Sequence, residues 1–272
     1  MIKELRSANA SIVVYEDAFN KRIRIDDYYG ERHELLALIR EATPSWAEKL
    51  IVKSRANDID WFGESGFTRE AFIAGYFNGV DLHFATKYLS PARSIASRKN
   101  IEDKIIDDIH RGATTLHHFE PEAVTLATPD DAGQLAALYH SIFEVYPTPL
   151  HNADHIRNTM EAGTMYVMIR DGSKILSTAS AEINRTYHNA ELTDCATTPE
   201  AQGKGHMRCL LMHLEDLLVP QGITSLYSIA RAESFGMNKV FHQLNYTYGG
   251  RLVNNCLIYS GLEDMNVWYK LV

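Results

Sequence analysis

The 272-residue chain has few cysteines and no long apolar run. Its three cysteines, Cys195, Cys209 and Cys256, are too few for a disulfide framework in a chain of this size, which favours a reducing compartment. No apolar stretch approaches the roughly 20 residues of a membrane-spanning helix, and the N-terminus lacks the apolar core of a signal peptide. We therefore expect a cytoplasmic protein without a membrane partner.

The chain also lacks an excess of positive charge, since its formal net charge is −8 at pH 7. Lysines and arginines are scattered rather than clustered, so no surface should attract a phosphate backbone. Nucleic acid is therefore not an expected partner. The length suits two domains that each bury a core, and a homodimer is compatible with these features.

Turn signals and a change in hydrophobic period divide the chain near residue 120. We predict an N-terminal domain over residues 1–118 and a second domain over residues 119–272. The elements predicted in the second domain are a strand at 124–127, a helix capped by Asp130 or Asp131, a helix near 154–161, a hairpin turning at Asp171-Gly172, a strand at 189–197, a glycine loop, a leucine-striped helix, a strand, a helix and two final strands.

The first domain repeats the end of the second in weaker form. The stretches LIVKSRANDIDWFGESGFTREAFIAGYF and SLYSIARAESFGMNKVFHQLNYTYGGRL both predict a strand, an Arg-Ala pair, a short helix and a new strand. Asp81 and Lys87 have the same separation as Asp264 and Lys270. Internal duplication and chance similarity both explain this pattern. The segment before the first unit has Gly30 as its single glycine, so no glycine loop is predicted there.

The stretch Gln202-Gly203-Lys204-Gly205-His206 connects a predicted strand to the leucine-striped helix. Free backbone N–H groups and the positive end of the helix dipole converge there, which favours an anion site. The glycines would let the backbone approach a pyrophosphate, and Lys204 adds positive charge. The spacing fits neither GxGxxG nor GxxxxGK[ST], which argues against a dinucleotide fold and a P-loop. Taken alone, the glycines are more simply explained by a tight turn.

This loop, in this order of elements, resembles the pyrophosphate loop of the GNAT superfamily of N-acetyltransferases. The superfamily pattern is Gln/Arg-x-x-Gly-x-Gly/Ala, in which Gln202 and Gly205 match and Met207 departs from the final Gly/Ala. The resemblance implies an α/β fold with a mixed, mostly antiparallel sheet flanked by helices. It also implies acetyl-CoA as cosubstrate, with no metal. The cofactor-binding residues it implies are Cys195, Ala196, Thr197, Gln202, Gly203, Lys204, Gly205, His206, Met207 and Asn238.

Longer stretches, including ARAESFGMNKVFHQLNYTYGGRLVNN, EDMNVWYK and WFGESGFTREAFIAGYFNGVDLHFATKYLSPAR, resemble the β-lysine N6-acetyltransferases from Ile23 onward. That resemblance implies acetyl transfer from acetyl-CoA to the terminal amine of β-lysine. The product would be N6-acetyl-β-lysine, a compatible solute used in osmoadaptation. The alternatives are acetylation of another small amine or of a protein lysine, and a sensor that binds acetyl-CoA without turnover.

Acetyl transfer to an alkyl ammonium requires a base, because the amine has an unperturbed pKa near 10.4. The resemblance places that base at Glu191, at the start of the segment AELTDCA. Asp194 is the competitor, and it faces the other side of an ideal strand unless a bulge intervenes. Phe241 occupies the position where many members have a tyrosine that protonates the leaving thiolate. The general acid is therefore open between His242, Tyr246 and none.

A β-lysine acceptor needs partners for its carboxylate and its β-ammonium. The candidates are Arg231, Glu233, Asn254 and Asn266. A second polar pattern places His151 and His155 one helical turn apart, a spacing that can bind zinc, but no third ligand accompanies them. We therefore predict no metal. The pair at 117–118 is expected to be solvated in the linker.

Overall fold

The computed structural model describes residues 2–112, 124–144, 148–258 and 261–272. The predicted domain boundary and the histidine pair at 117–118 lie outside the described residues. The strands are β1 (Ile2–Arg6), β2 (Ala10–Asp17), β3 (Arg22–Gly30), β4 (Lys49–Arg55), β5 (Thr68–Phe77), β6 (Val80–Tyr88), β7 (Thr125–Leu126), β8 (Met165–Asp171), β9 (Lys174–Asn184), β10 (Asn189–Thr197), β11 (Ser225–Arg231), β12 (Thr247–Ile258) and β13 (Gly261–Leu271). The α-helices are α1 (Arg32–Glu41), α2 (Ile59–Glu64), α3 (Lys99–Arg111), α4 (Ala132–Ile142), α5 (Ala153–Glu161), α6 (His206–Leu218) and α7 (Phe235–Gln243).

The strands form a single sheet in the order β1-β2-β3-β4-β6-β5-β12-β13-β11-β10-β9-β8-β7. The pairs β3–β4 and β10–β11 are parallel, and the other neighbouring pairs are antiparallel. This confirms the predicted mixed, mostly antiparallel sheet flanked by helices. None of the helices in the described ranges is long and apolar enough to cross a bilayer.

Each half of the sheet has the same internal order. The first half runs β1-β2-β3-β4-β6-β5 and the second runs β8-β9-β10-β11-β13-β12, with the parallel pair at the same place in both. The second half has one further strand, the two-residue β7, which pairs with β8 at the outer edge. The halves meet where Gly250 pairs with Ala71. A Cβ on Gly249 would lie 2.2 Å from the carbonyl oxygen of Phe72, so this seam requires a residue without a side chain.

Helices cover the two halves through separate apolar clusters. Leu35 and Phe62, from α1 and α2, pack in one cluster with strands of the first half. The leucine stripe of α6 packs with Phe241 and Trp268 in a second cluster. Helices α4 and α5 pack with β8 and β9 in a further cluster. Each helix therefore buries its apolar stripe against the sheet, as its periodicity predicts.

Helix α3 lies before the predicted boundary at residue 118 but packs with the second half. Ile106 belongs to the same cluster as Trp268, and Nη1 of Arg251 lies 2.8 Å from Oδ1 of Asp103. By its contacts the chain therefore enters the second half before residue 99. The sequence shows that α3 is amphipathic but does not indicate which of two cores receives its apolar face.

The sheet curves enough to bring distant strands into contact. Tyr187, in the turn between β9 and β10, donates a hydrogen bond to Asp27 of β3. Six strands lie between β3 and β10 in the order of the sheet. The ring of Tyr187 also lies 5.0 Å from the ring of Phe77. One face of the first half consequently faces the corresponding face of the second half.

A buried ion pair joins the halves near the seam. The Lys49 side chain is fully buried, with Nζ 2.9 Å from Oε2 of Glu70 and 2.6 Å from the carbonyl oxygen of Val253. Glu70 in turn accepts a hydrogen bond of 2.9 Å from the N–H of Val253. The pair therefore stabilises the contact between β12 and the first half.

We expect Lys49→Ala to lower the free energy of unfolding by about 3 to 5 kcal/mol, because it leaves a buried carboxylate without its cation. Chemical denaturation measures this change. Lys99→Ala is the control, since Lys99 pairs with Asp103 on the surface and such pairs contribute at most about 1 kcal/mol. Equal losses in the two variants would contradict the structural role of the Lys49 pair.

Candidate active site

The parallel strands β10 and β11 separate partway along their length. Their register ends at the pair Glu191 and Tyr227, although β10 continues to Thr197 and β11 to Arg231. A bulge lies in β10 between Thr193 and Ala196. Bulges bend a strand and re-aim its side chains. Beyond Glu191, the edges of the two strands therefore form an open cleft with backbone groups available to a ligand.

The cleft leads into the connection 198–205, which ends at the N-terminus of α6. Gly203 and Gly205 have φ angles of 76° and 82°, in the left-handed region that favours glycine. Gly205 is the N-cap residue, no side chain caps the helix, and the first turn contains no acidic residue. The first N–H groups of α6 are therefore available to an anion, and Lys204 is exposed beside them. This loop suits the pyrophosphate of acetyl-CoA.

The remaining cofactor candidates differ in accessibility. His206 and Met207 are buried at the start of α6, whereas Cys195 is half-buried in β10. Burial, with a smaller contribution from Asp194, raises the pKa of the Cys195 thiol, so a thiolate nucleophile is disfavoured. Asn238 is fully buried and its amide is used within the protein. Its Nδ2 donates to the carbonyl oxygens of Arg231 and Ser234, and its Oδ1 accepts from Asn266 and Trp268. The side-chain amide of Asn238 is therefore already hydrogen-bonded within the protein.

A cavity of about 380 Å³ lies between the two halves of the sheet. Its lining combines Arg24 and Lys53 from the first half with Glu182, Glu191 and Tyr227 from the second. Small-molecule sites commonly occupy about 300 to 1,000 Å³, so the size suits a small acceptor. The curvature of the sheet therefore creates a pocket that neither half forms alone.

Glu191 lines this cavity as a carboxylate whose pKa is raised. Burial, and after it the negative charge of Glu182 directly opposite on β9, together raise its pKa to about 7. Lys53 and Arg24 act in the opposite direction. A pKa near neutrality allows the ionised form to accept a proton at physiological pH.

Asp194 lines the same cavity as Glu191. It is largely buried, has a φ angle of 50°, and its Oδ2 accepts a hydrogen bond of 2.9 Å from Oγ of Ser180. The bulge explains why two residues three positions apart reach one cavity, since a regular strand would place them on opposite faces. The hydrogen bond to Ser180 fixes the Asp194 carboxylate within the strand pair.

The structure does not bring the predicted acceptor-binding residues to Glu191. Two hydrogen bonds of 2.7 Å join Arg231 to Glu263, and Glu233 pairs with Arg98. Asn254 donates hydrogen bonds to the carbonyl oxygens of Arg93 and Ile95. Asn266 donates a hydrogen bond to Asn238 and accepts one from Arg251. Within the described residues, none of these four lines the cavity.

Other residues of the cavity were missed from the sequence. Arg24 and Lys53 are charged positions on strands, and the residues on either side of each, Ile23 and Ile25 or Val52 and Ser54, are buried. The alternation Arg-Ile-Arg-Ile over residues 22–25 was the available signal, because it places charges on one strand face and apolar side chains on the other. Glu182 gave no comparable signal. His155, considered above for zinc, also lines the cavity.

The candidates for a general acid lie on the helix-covered side of the second half. Phe241 and Tyr246 are buried there with ring centroids 5.2 Å apart. Burial, together with the charge of Glu215, raises the pKa of Tyr246, which makes it a poor proton donor. His242 packs beside His110 and Trp268. In the part of the chain that the structure describes, neither His242 nor Tyr246 lines the cavity.

Comparisons with known proteins agree with this geometry. Residues 133–246 match the model of the acetyltransferase (GNAT) family. The chain is 38% identical to N-acetyltransferase YodP of Bacillus subtilis, over 99% of both chains. It is 34% identical to a β-lysine N6-acetyltransferase of Methanosarcina mazei, over 90% of this chain and all of that one.

Among solved structures, yncA from Salmonella typhimurium with its cofactor acetyl-CoA aligns with a TM-score of 0.50 and 15% identity. The alignment covers 56% of this chain and 94% of that one, and at this identity it supports the fold alone. The two sequence relatives span 99% and 90% of the chain, and the family model covers the cleft, the glycine loop and α6. The chain belongs to the GNAT family and is an acetyl-CoA-dependent N-acetyltransferase.

Proposed function

We propose that this acetyltransferase acts on the N6 amine of β-lysine, with Glu191 as the general base. The observation that carries the proposal is the position of Glu191, inside the cavity and at the point where β10 and β11 separate. Relatives named β-lysine N6-acetyltransferase support the choice of acceptor, at 34% and 29% identity. The product would be N6-acetyl-β-lysine, whose neutral side chain suits a compatible solute.

In this mechanism Glu191 removes a proton from the acceptor ammonium, directly or through water. The neutral nitrogen then attacks the thioester carbon of acetyl-CoA and a C–N bond forms. The C–S bond breaks and CoA leaves as the thiolate, while the second proton that the nitrogen loses passes to that thiolate or to water. Backbone N–H groups of residues 195–197, beside the cleft, would donate to the oxygen that becomes negative. A thiol pKa near 8.5 makes the thiolate an adequate leaving group, so a dedicated general acid is not required.

The same proposal assigns acetyl-CoA to the second half alone. Eight residues, 198–205, connect β10 to α6, whereas Glu31 alone connects β3 to α1. In the first half, Tyr28 of β3 is hydrogen-bonded to the end of β4 and to Asp58 beyond it. Its hydroxyl accepts a hydrogen bond of 3.1 Å from the N–H of Arg55 and donates one of 2.8 Å to Asp58. We infer that the first half is a degenerate copy of the second that has no cofactor site.

The acceptor is tested by release of CoA thiol during incubation with acetyl-CoA and a series of amines. β-Lysine is expected to give the highest kcat/KM, above α-lysine, ornithine, spermidine and a lysine-containing peptide. Mass spectrometry of the product should place the acetyl group on N6. A higher kcat/KM with the peptide or with spermidine would contradict the assignment and favour the corresponding alternative.

A further inference from the structure

The cavity between the halves has walls of opposite charge. The acidic wall consists of Glu182, Glu191 and Asp194 on β9 and β10. We call Arg24 on β3 and Lys53 on β4 the basic wall. Arg22 and Asp17, which also line the cavity from the first half, neutralise each other in an ion pair of 2.8 Å. Opposite charges on facing walls favour a ligand with a cation at one end and an anion at the other.

The basic wall has an excess of positive charge. Both of its cations pair with a single carboxylate, Asp26: Nε of Arg24 lies 2.5 Å from Oδ1, and Nζ of Lys53 lies 3.2 Å from the same oxygen. Lys53 and Arg24 lower the pKa of Asp26 to about 2 although burial opposes this, so the carboxylate is ionised. Two cations and one anion leave a net charge of +1 beside the cavity.

Donor groups on this wall remain available. Within the described residues, Arg24 donates through Nε and Nη2 to Asp26, and its guanidinium lies 4.9 Å from the centroid of the Tyr15 ring. Its Nη1 group makes no protein hydrogen bond in that part of the chain. Lys53 donates to Tyr76 at 3.0 Å and pairs with Asp26, which leaves one of its three N–H groups.

We propose that Arg24 and Lys53 bind the carboxylate of the acceptor, so the first half of the chain selects an amine that also carries a carboxylate. The inference rests on the proposed function only in placing the reacting amine at Glu191. With that end fixed, the basic wall receives the opposite end of the same molecule. The first half is then the part of the enzyme that determines specificity, although it has no cofactor site of its own.

The basic wall also explains what the enzyme excludes. A polyamine such as spermidine would place a second ammonium near Arg24 and Lys53, and like charges brought together cost several kcal/mol. A diamine without a carboxylate would leave the excess positive charge unpaired in a half-buried site. β-Lysine also carries a β-ammonium near its carboxylate, but the carboxylate at the far end from N6 supplies the anion for the basic wall that a polyamine lacks.

The test measures kcat/KM for β-lysine and for 1,4-diaminopentane, its analogue without the carboxylate, in the parent enzyme and in Arg24→Gln. A hydrogen-bonded charge pair contributes about 1.5 to 3 kcal/mol. Arg24→Gln should therefore lower the ratio of kcat/KM for β-lysine to kcat/KM for 1,4-diaminopentane about 10- to 100-fold. The ratio is compared because the loss of Arg24 also alters the pKa of Glu191, which affects both substrates alike. Arg24→Lys, which keeps the charge, should recover part of the loss. Lys53→Gln is the second variant, with the same expected difference between substrates.

Equal losses for both substrates would overturn the proposal and leave the β-lysine assignment standing. Conversely, a parent enzyme inactive on β-lysine but dependent on Arg24 for another amino acid would overturn the proposed function and support carboxylate binding. If the variants fail to fold, the comparison of the two substrates in the parent enzyme still tests the proposal. Similar kcat/KM values for β-lysine and 1,4-diaminopentane would contradict carboxylate binding by the basic wall.

Discussion

Replacing Glu191 with glutamine is expected to lower turnover by a factor of about 10² to 10⁴ while acetyl-CoA affinity is retained. Glutamine keeps the shape of the side chain and removes the base. Initial rates of CoA release measure turnover, and calorimetry measures the affinity. Asp194→Asn is the matched control, because it makes the same chemical change on a carboxylate of the same cavity. A large loss in Asp194→Asn with none in Glu191→Gln would assign the base to Asp194.

The pH dependence separates a lost base from a damaged site. Because burial and the charge of Glu182 raise the pKa of Glu191 to about 7, the parent rate should rise with pH through that value as the carboxylate ionises. Glu191→Gln should lack this step. Its deficit should also shrink toward high pH, where more of the amine arrives already neutral. A variant profile parallel to that of the parent would exclude Glu191 as the titrating base.

Stability provides an independent check on the same variant. A carboxyl whose pKa is raised by folding binds more protons in the folded than in the unfolded state, between its unfolded pKa near 4.3 and about 7. The folded state therefore loses stability as pH rises through that window. At pH 8 Glu191→Gln, which carries no charge, should melt at the same or a higher temperature than the parent. Lower activity together with unimpaired stability would identify a functional rather than a structural residue.

The second large effect is expected for Gly205→Glu, which should weaken acetyl-CoA binding about 10²-fold or more. The substitution places a negative charge beside the pyrophosphate, and bringing like charges together costs several kcal/mol. It also places a side chain at a φ angle of 82°, which costs about 1 to 2 kcal/mol. Isothermal titration calorimetry measures the affinity, and for the parent it should give one site per chain.

Gly222→Glu is the matched control because Gly222 follows the other end of α6 with a φ angle of 81°. It introduces the same strain and charge far from the glycine loop. We expect it to lower the melting temperature like Gly205→Glu and to leave acetyl-CoA affinity unchanged. Similar acetyl-CoA affinities in the two variants would show that the glycine loop is not part of the cofactor site. Two acetyl-CoA sites per parent chain would contradict the inference that the first half has no cofactor site.

Local patterns were sufficient to predict most of the second half. The strand Asn189–Thr197 was predicted with its observed bounds, and the hairpin turns at Gly172, whose φ angle is 56°. Turn residues, apolar periodicity and the glycine loop each act over a few positions, so they can be read from the sequence. The predicted base, Glu191, also lies inside such a local motif.

The acceptor pocket could not be predicted in this way because it depends on contacts between residues far apart in the chain. Arg231 was a reasonable candidate at the end of a strand, yet its charge is paired with Glu263, 32 positions later. Arg24 lies opposite Glu191 only because the sheet curves, and no spacing in the sequence reports curvature. The tertiary fold decides which residue pairs with a charged side chain and which strands line a cavity. Neither can be predicted from local sequence patterns.

The seam between β5 and β12 also affects whether the protein associates with other copies of itself. Each half, on its own, would end in a strand whose unpaired N–H and C=O groups invite pairing with another chain, the usual start of aggregation. Joined at Ala71 and Gly250, the halves cover these edges for each other. One outer edge that remains is β1, where Lys3, Glu4 and Arg6 discourage such pairing. The first half therefore protects the second from self-association, whatever it contributes to catalysis.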